Sequence, residues 1–397
     1  MIRSTGGRAV IALLFSAGSA SADSWVAAWG AAPDEPGPSF AKQTLRQVVR
    51  TSIAGSSVRI RLSNLYGKTP VTLGPVRVAA HAGGGAVRPG TDRGLTFGGK
   101  PSVTIAPGAS ALSDAAPFDV AALQELAVSL YVPDATGPST SHTVGMQNAY
   151  VARGDQTSTA ALTGAEPDGT RYFLTDVEVA AAADARTLVV VGDSVSDGVG
   201  STDDANARWP DALAARLQAD ARLKNVAVVN SGLAGNRILK DGAEPYLGPS
   251  TLKRFDRDAL DKPGVRWVVL LQGINDISAT QLLPGADQKV TAEEIVEGMK
   301  TLIGRAHGRG VKVFGATLLP RAGARGSRPH TPAGEVMRVK VNEWIRTGGG
   351  FDAVVDFEAV MRDPARPTFL RADFDSGDGT HPNDAGYRAM ADAFDLA

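Results

Sequence analysis

The chain of 397 residues contains no cysteine. This absence excludes a thiol nucleophile, a metal site built on cysteine thiolates, and stabilisation by disulfides. A protein exported without disulfides depends on the size of its core for stability. Hydrophobic residues make up 43% of the sequence, which suffices for a packed core, and the length favours two domains.

The sequence also lacks an excess of charge of either sign. Its 41 basic and 42 acidic residues leave a formal net charge of −1, and such a balance argues against nucleic acid as a partner. After the N-terminal segment, no apolar run approaches the roughly 20 residues of a membrane-spanning helix. We therefore expect no membrane span, and we make no prediction of the oligomeric state.

The first 22 residues have the pattern of a secretory signal peptide. Arg3 and Arg8 precede an apolar run over residues 9–15, and a small-residue motif ends at Ala22. We expect cleavage after Ala22 and a secreted or periplasmic protein. The alternative, an N-terminal membrane anchor, is disfavoured because the apolar run is too short to span a bilayer.

Two regions with different hydrophobic patterns follow. Residues 58–62, 103–105 and 127–132 alternate apolar and polar side chains between breaks rich in glycine and proline, which predicts an all-β domain over residues 23–182, a sandwich or jelly-roll. Residues 183–397 instead carry continuous apolar runs between helical segments, which predicts a doubly wound α/β/α domain with a parallel sheet. The apolar runs cover residues 187–191, 226–229, 267–271, 312–316 and 351–355. The helical segments cover residues 209–217, 292–307 and 332–345.

Two short motifs in the second region point to chemistry. Gly192-Asp193-Ser194 ends an apolar run, and Asp378 precedes His381 by three residues. A serine hydroxyl becomes a nucleophile when a neutral histidine takes its proton, and an aspartate can fix the tautomer of that histidine. The pair therefore suggests acyl transfer to a serine, at the carboxyl ends of the parallel strands.

Four ordered segments resemble the sequence blocks of the SGNH, or GDSL-type, hydrolase superfamily. They lie at residues 192–194, 230–236, 273–276 and 378–382. Residues 208–211, 254–258 and 381–387 are further similar to secreted bacterial GDSL esterases that carry an N-terminal β-rich region. The resemblance implies a flavodoxin-like three-layer α/β/α hydrolase domain.

The resemblance also implies roles for individual residues. Ser194 matches the nucleophile, His381 the general base and Asp378 the group that orients the histidine. The oxyanion hole would consist of the Ser194 N–H, the Gly235 N–H and the Asn275 side-chain amide. Gly232 is the alternative to Gly235, which is favoured because it directly precedes Asn236-Arg237.

Other polar residues near these motifs have less specific interpretations. Asp193, Asn236, Asp276 and Asp197 are candidates for supporting roles, and Asp193 is expected to be a buried hydrogen-bonding anchor rather than a second acid. The acidic segment 373–378 could alternatively be a solvated loop or a calcium site, but we expect no metal and no cofactor. The remaining histidines have no metal-ligand spacing and are expected to be structural or exposed: His81, His142, His307 and His330.

The sequence therefore predicts a secreted serine esterase acting on short acyl groups, acetyl above all, of a small-molecule or polysaccharide ester. Two alternatives stay open at this point. One is a lipase, phospholipase-type acylhydrolase or acyltransferase that uses the same serine. The other is a glycan-binding protein whose working module is the β-rich domain.

Overall fold

The computed structural model describes residues 24–325 and 330–396. The predicted signal peptide over residues 1–22 lies outside the described residues.

The first region is built of short strands joined by turns. Its strands are β1 (Ser24–Gly30), β2 (Glu35–Gly37), β3 (Gln43–Arg50), β4 (Gly55–Ser63), β5 (Val71–Leu73), β6 (Val76–Gly83), β7 (Ala86–Val87), β8 (Arg93–Leu95), β9 (Val103–Ile105), β10 (Ser110–Leu112), β11 (Ala116–Val120), β12 (Glu125–Val132), β13 (Ser139–His142), β14 (Ala149–Arg153), β15 (Glu166–Asp168), β16 (Arg171–Tyr172) and β17 (Leu174–Ala181). The predicted strand-rich region is thus confirmed.

Two antiparallel sheets of this region pack over one apolar cluster. One sheet has the order β1-β17-β4-β10, with β11 also on β4; the other has the order β15-β14-β3-β12-β6-β7, with β8 on β6. Strand β4 shows why they pack, because Val58, Ile60 and Leu62 are fully buried while Arg59 and Arg61 between them are half-buried. Side chains of both sheets belong to the same cluster. Smaller sheets join β16-β13-β2 and β5-β9.

The second region alternates strands and helices. Its strands are β18 (Arg186–Gly192), β19 (Val226–Gly232), β20 (Val265–Leu271), β21 (Lys312–Ala316) and β22 (Ala353–Val355). Its helices are α1 (Ser194–Asp197), α2 (Trp209–Ala219), α3 (Thr251–Phe255), α4 (Ile274–Leu282), α5 (Ala292–His307), α6 (Pro332–Thr347), α7 (Phe357–Met361) and α8 (Asp384–Asp392). A single π-helical stretch, Asp256–Leu260, continues α3, and short 3-10 turns cover Pro245–Leu247 and Ala286–Gln288.

The five strands form one parallel sheet with the order β19-β18-β20-β21-β22. In chain order this is 2-1-3-4-5, the flavodoxin-like arrangement, so the predicted fold class is confirmed. The last strand begins at Ala353, two residues later than the apolar run 351–355 predicts.

The two regions touch where β1 packs against β19, with further contacts from β1 to the segment before β20 and from the segment after β3 to β19. The Ala27 N–H donates to Pro263 O at 3.0 Å, and the Val228 N–H donates to Ser52 Oγ at 2.9 Å. Strand β17 ends at Ala181 and β18 begins at Arg186. Domain limits of 23–182 and 183–397 stay a prediction.

The turn from β18 into α1 is sterically tight. A Cβ on Gly192 would lie 2.0 Å from Ser196 Oγ, so the close return of α1 over the strand end requires glycine there. Asp193 then caps the helix, because its side chain accepts the Val195 N–H at 3.1 Å. Ser194 is therefore the first residue of α1, at the carboxyl edge of the sheet.

Candidate active site

The ends of three neighbouring parallel strands bring the predicted blocks together. Strand β18 lies between β19 and β20, so the segments that follow these strands share one edge of the sheet. The fourth block lies just before α8. A cavity of about 400 Å³ opens at this edge. Its lining includes Ser194, Gly235, Asn275, Asp378 and His381.

His381 contacts both of its predicted partners. Its Nε2 lies 2.8 Å from Ser194 Oγ, and its Nδ1 lies 2.5 Å from Asp378 Oδ2. The other Asp378 oxygen accepts the backbone N–H groups of Thr380 and His381, each at 2.8 Å. Burial disfavours the charged form of Asp378, but the hydrogen bonds from His381 outweigh it and hold the pKa of this carboxyl below its usual range. An ionised, fixed carboxylate leaves Nε2 as the nitrogen that accepts the Ser194 proton.

Three potential donors line the same cavity. Gly235 adopts φ 73° in a turn closed by a 3.1 Å hydrogen bond from the Asn236 N–H to Leu233 O. Across residues 24–325 and 330–396, the N–H groups of Ser194 and Gly235 have no acceptor. Asn275 Nδ2 donates one hydrogen to Asn236 O at 3.2 Å, which leaves its second hydrogen available. The arrangement can therefore offer three N–H groups to an anionic oxygen next to Ser194.

Gly232 has a different environment from Gly235. It packs against the helix that carries the serine, where a Cβ would lie 2.5 Å from Asp197 N. Gly235 lines the cavity, and the lining residues do not include Gly232. The geometry therefore favours Gly235 as the donor.

Asp193 is buried beside the serine. One carboxylate oxygen caps α1, and the other has no hydrogen-bond partner among residues 24–325 and 330–396. Burial raises the pKa of Asp193 to about 6, although the Val195 N–H and the charges of His381 and Arg321 act in the opposite direction. The side chain does not contact the proton-transfer atoms, which fits the predicted anchor rather than a second acid.

The raised pKa of Asp193 predicts that the free energy of unfolding depends on pH. An unfolded aspartate titrates near pH 3.9, so between about pH 4 and pH 6 the folded chain holds a proton that the unfolded chain has lost. The contribution of Asp193 to stability must therefore fall as the pH rises through this window. Asp193→Asn keeps an N-cap oxygen and removes the titration. We expect the unfolding free energy of the wild type, relative to the variant, to fall by about 2–3 kcal/mol between pH 4 and pH 7.5.

Urea unfolding at both pH values measures this difference. Replacement of the exposed Asp134 by asparagine is the matched control, because that side chain is solvated in the folded protein. An Asp193→Asn variant whose stability follows the wild type in parallel between the two pH values contradicts the prediction.

Asn236 and Asp276 hold the loops around the donors. Asn236 is fully buried, and its side-chain oxygen accepts hydrogen bonds from Thr251 Oγ1 and Arg254 Nε, both at 2.9 Å. Asp276 accepts the N–H groups that follow the Gly235 turn, from Ile238 at 2.8 Å and Leu239 at 3.1 Å. Burial raises the pKa of Asp276 to about 6. Both residues therefore tie the Gly235 turn to α3 and α4 without lining the cavity.

A model of the GDSL-like lipase/acylhydrolase family matches residues 190–389, which is half of the chain and includes all four motif segments. The chain belongs to this family. The family assignment establishes that the second region of this GDSL-like protein is a hydrolase domain, and it confirms the resemblance seen in the motifs.

Several solved structures are similar to the GDSL-like domain. They include a catalytic mutant of an acetylxylan esterase from Geobacillus stearothermophilus, with 22% identity, 52% of this chain and 91% of that chain covered, and a TM-score of 0.40. A GDSL-like lipase from Bacteroides thetaiotaomicron has 19% identity, covers 52% of this chain and 85% of its own, and has a TM-score of 0.37. An α/β hydrolase from the metagenome of Lake Arreo, Spain, has 22% identity, 53% and 94% coverage, and a TM-score of 0.39. A comparison with curated proteins finds no match.

Sequence reasoning did not assign several residues that shape the site of this GDSL-like protein. The buried guanidinium of Arg254 donates to the carbonyl oxygens of Ser231 at 2.8 Å and Gly192 at 3.2 Å, and so ties two strand ends together. Leu318, Leu319 and the largely buried Arg321 follow β21 and line the cavity. The sequence signal that could have found the last three residues is the apolar run 312–316. This run forms β21, which lies in the same sheet, so the residues that follow it reach the same edge as the motif segments.

The remaining histidines and acidic groups have structural partners. His81 pairs with Glu125, His307 with Asp352 and His330 with Glu335, at 2.7, 2.8 and 2.8 Å. Asp375 accepts the N–H groups of Gly377 and Gly379. Residues 24–325 and 330–396 contain no group of three metal-ligating side chains arranged to hold an ion. In the same residues no helix has both the length and the apolar character needed to cross a bilayer.

Proposed function

We propose that the protein is a serine esterase that hydrolyses carboxylic esters of short acyl groups, acetyl above all. Ser194 is the nucleophile, His381 the general base and Asp378 the group that orients it. The observation that carries the proposal is the continuous contact from Ser194 Oγ through the His381 ring to Asp378, at 2.8 and 2.5 Å. Asn236 and Asp276 support this arrangement from behind the cavity, and Asp193 supports it from the cavity wall next to Ser194.

In the proposed reaction His381 Nε2 takes the hydroxyl proton while Ser194 Oγ forms a bond to the ester carbonyl carbon. The resulting oxyanion accepts hydrogen bonds from the Ser194 and Gly235 N–H groups and from Asn275 Nδ2. Collapse breaks the bond to the alkoxy oxygen, and the protonated His381 gives its proton to the departing alcohol. Water then attacks the acyl-serine through the same base, which releases the carboxylic acid and restores Ser194.

The cavity lining contains apolar side chains as well as charged ones, and the charged side chains next to Ser194 support a short acyl group. Asp193, Arg321 and Arg325 share the lining with His381 and Asp378. A long alkyl chain would lie against these polar groups and desolvate them at a cost. An acetyl group needs little room beyond the oxyanion site, and the alcohol part of the ester would extend towards the half-exposed Tyr246 at the cavity wall.

A series of p-nitrophenyl esters tests this substrate class. We expect kcat/KM for the acetate to exceed that for the decanoate by about tenfold or more, a difference of about 1.4 kcal/mol in transition-state stabilisation. The leaving group is the same throughout, so the acyl chain is the only variable. A decanoate that reacts as fast as the acetate contradicts the acetyl preference and favours a lipase-type acylhydrolase. Added alcohols in the same assay report transfer in place of hydrolysis.

We also propose that the protein is exported. The support is the charged, apolar and small-residue order of residues 1–22. N-terminal sequencing of protein recovered from the culture medium or periplasm is expected to begin at Asp23. Recovery of an intact Met1 terminus in the cell fraction alone contradicts export.

A further inference from the structure

A buried histidine of the strand-rich region reaches the helix that carries Ser194. His142 ends β13, and its Nδ1 lies 2.8 Å from Ala32 O. Its Nε2 lies 3.0 Å from Val144 O and 3.1 Å from Asp197 Oδ1. Each of these neighbours is a hydrogen-bond acceptor, so both ring nitrogens must carry hydrogen for the contacts to be favourable. The geometry therefore requires a charged imidazolium at this position.

Asp197 also contacts the turn over residues 233–236, here called the oxyanion turn because it contains Gly235. It is the last residue of α1, three residues after Ser194, and it is almost fully buried. Its second carboxylate oxygen accepts the Ala234 N–H at 2.9 Å. Ala234 immediately precedes Gly235, so this hydrogen bond fixes the Leu233–Ala234 peptide plane, which directly precedes the plane that carries the Gly235 N–H. One carboxylate thus joins His142, the serine helix and the oxyanion turn.

The electrostatic surroundings favour the charged histidine. Burial alone lowers the pKa of His142, but Asp197 and then Asp34 outweigh it and raise the pKa to about 9. Asp34 itself is held by the Thr143 N–H and hydroxyl, both at 2.6 Å. The charged and titratable groups that act on Asp197 from the other packed elements are Asp193, Arg208, Arg254 and Tyr387.

From this geometry we infer that His142 and Asp197 are positioning residues for the ester hydrolysis proposed above, and that the strand-rich region thereby supplies part of the active arrangement. The inference rests on the proposed function of Ser194. Loss of the charge on His142 leaves the Asp197 carboxylate buried with one neutral donor. The carboxylate then shifts towards water, and the Ala234 N–H loses a charged acceptor. A displaced Gly235 N–H stabilises the oxyanion less well, which lowers kcat more than it raises KM.

The test compares His142→Gln with His81→Gln in the full-length protein, using p-nitrophenyl acetate from pH 6 to pH 10. His81 is a matched control, because it also belongs to the strand-rich region and also pairs with a carboxylate. We expect His142→Gln to lower kcat about tenfold and to change KM by less than about twofold, since a misplaced oxyanion donor costs less than the roughly 10²–10³ of a deleted one. We expect His81→Gln to match the wild type. In the wild type kcat should decline near pH 9, and His142→Gln should lack this decline.

Asp197→Asn tests the second half of the link. It should lower kcat to a similar extent, and the double variant His142→Gln/Asp197→Asn should be no worse than either single variant, because both changes break one connection. If the decrease in kcat of the double variant equals the product of the two single decreases, the residues act independently, which contradicts the proposed link between His142 and Asp197. So does a His142→Gln variant whose kcat and pH profile equal those of His81→Gln.

A measurement on the wild type covers the case in which His142→Gln fails to fold. Histidine side-chain NMR should show His142 losing its proton near pH 9, with the amide signals of Ala234 and Gly235 moving over the same range. Amide signals that stay fixed while His142 titrates overturn the inference. A wild type without esterase activity means instead that the proposed function is wrong. If the wild type is active and Ser194→Ala is inactive, the proposed function holds and the results for His142 test the inference alone.

Discussion

Replacement of Ser194 by alanine is expected to lower kcat for p-nitrophenyl acetate by about 10⁴- to 10⁶-fold. The reason is that, in residues 24–325 and 330–396, Ser194 is the one side chain that shares a hydrogen bond with His381 Nε2, while Asp378 occupies Nδ1. The residual rate should come from the oxyanion donors and from binding of the ester. Initial-rate kinetics with a burst-phase measurement of p-nitrophenol gives the readout.

Ser196→Ala is the matched control for this variant. Ser196 belongs to the same short helix and is fully buried, but its side chain does not line the cavity. We expect this control to retain activity within a few-fold of the wild type. Activity of Ser194→Ala that remains close to that of Ser196→Ala shows that the ester bond is broken by another group.

Replacement of Asp378 by asparagine is expected to lower kcat by about 10³- to 10⁴-fold with the fold intact. The asparagine oxygen can still accept the N–H groups of Thr380 and His381 that Asp378 Oδ1 accepts. The amide nitrogen then faces His381 Nδ1 and donates to it. The ring is held with its hydrogen on Nε2, and in this tautomer it cannot take the proton of Ser194.

Asp375→Asn is the control for the loop. Asp375 also accepts backbone N–H groups, of Gly377 and Gly379, but it makes no contact with the His381 ring. Steady-state kinetics of the two variants side by side, with near-ultraviolet circular dichroism as a check on folding, decides the question. An Asp378→Asn variant as active as Asp375→Asn removes Asp378 from the proposed mechanism.

The pKa of Asp378 determines the pH at which this carboxylate loses its charge on the acid side. Hydrogen bonds from His381 hold the pKa of Asp378 below its usual range. The stabilising effect of these hydrogen bonds on the folded protein is therefore complete above the unfolded value of about 3.9, and it disappears as the pH falls through the lower folded value. A loss of activity at mildly acidic pH consequently has a cause other than protonation of Asp378.

The sequence predicts the parallel sheet and the contacts of Ser194 and His381 for a clear reason. Continuous apolar runs mark buried parallel strands, and parallel strands deliver whatever follows them to one edge. The predicted helical segments do not include α4, whose first turn carries Asn275, because the helix begins directly after Gly273, which adopts φ 121°.

The role of His142 could not be predicted in the same way. It was interpreted as an isolated histidine that is structural or exposed, and Asp197 as a general supporting group. Their contact joins residues that are 55 positions apart, on a strand of one region and a helix of the other. Hydrophobic periodicity in the sequence cannot predict such a contact, because burial of the imidazole depends on how β13 packs against α1. Long-range ion pairs of this kind become visible only in three dimensions.

The tight turn at Gly192 has an evolutionary consequence. Gly192 is required because Ser196 Oγ of α1 lies 2.0 Å from where a Cβ on Gly192 would be, and position 193 needs a side chain that can cap that helix. Folding thus constrains the first two positions of the Gly-Asp-Ser motif, whereas the proposed chemistry constrains the third. A single substitution at position 194 would therefore leave the fold intact and, on the proposed mechanism, turn a protein that cleaves esters into one that only binds them.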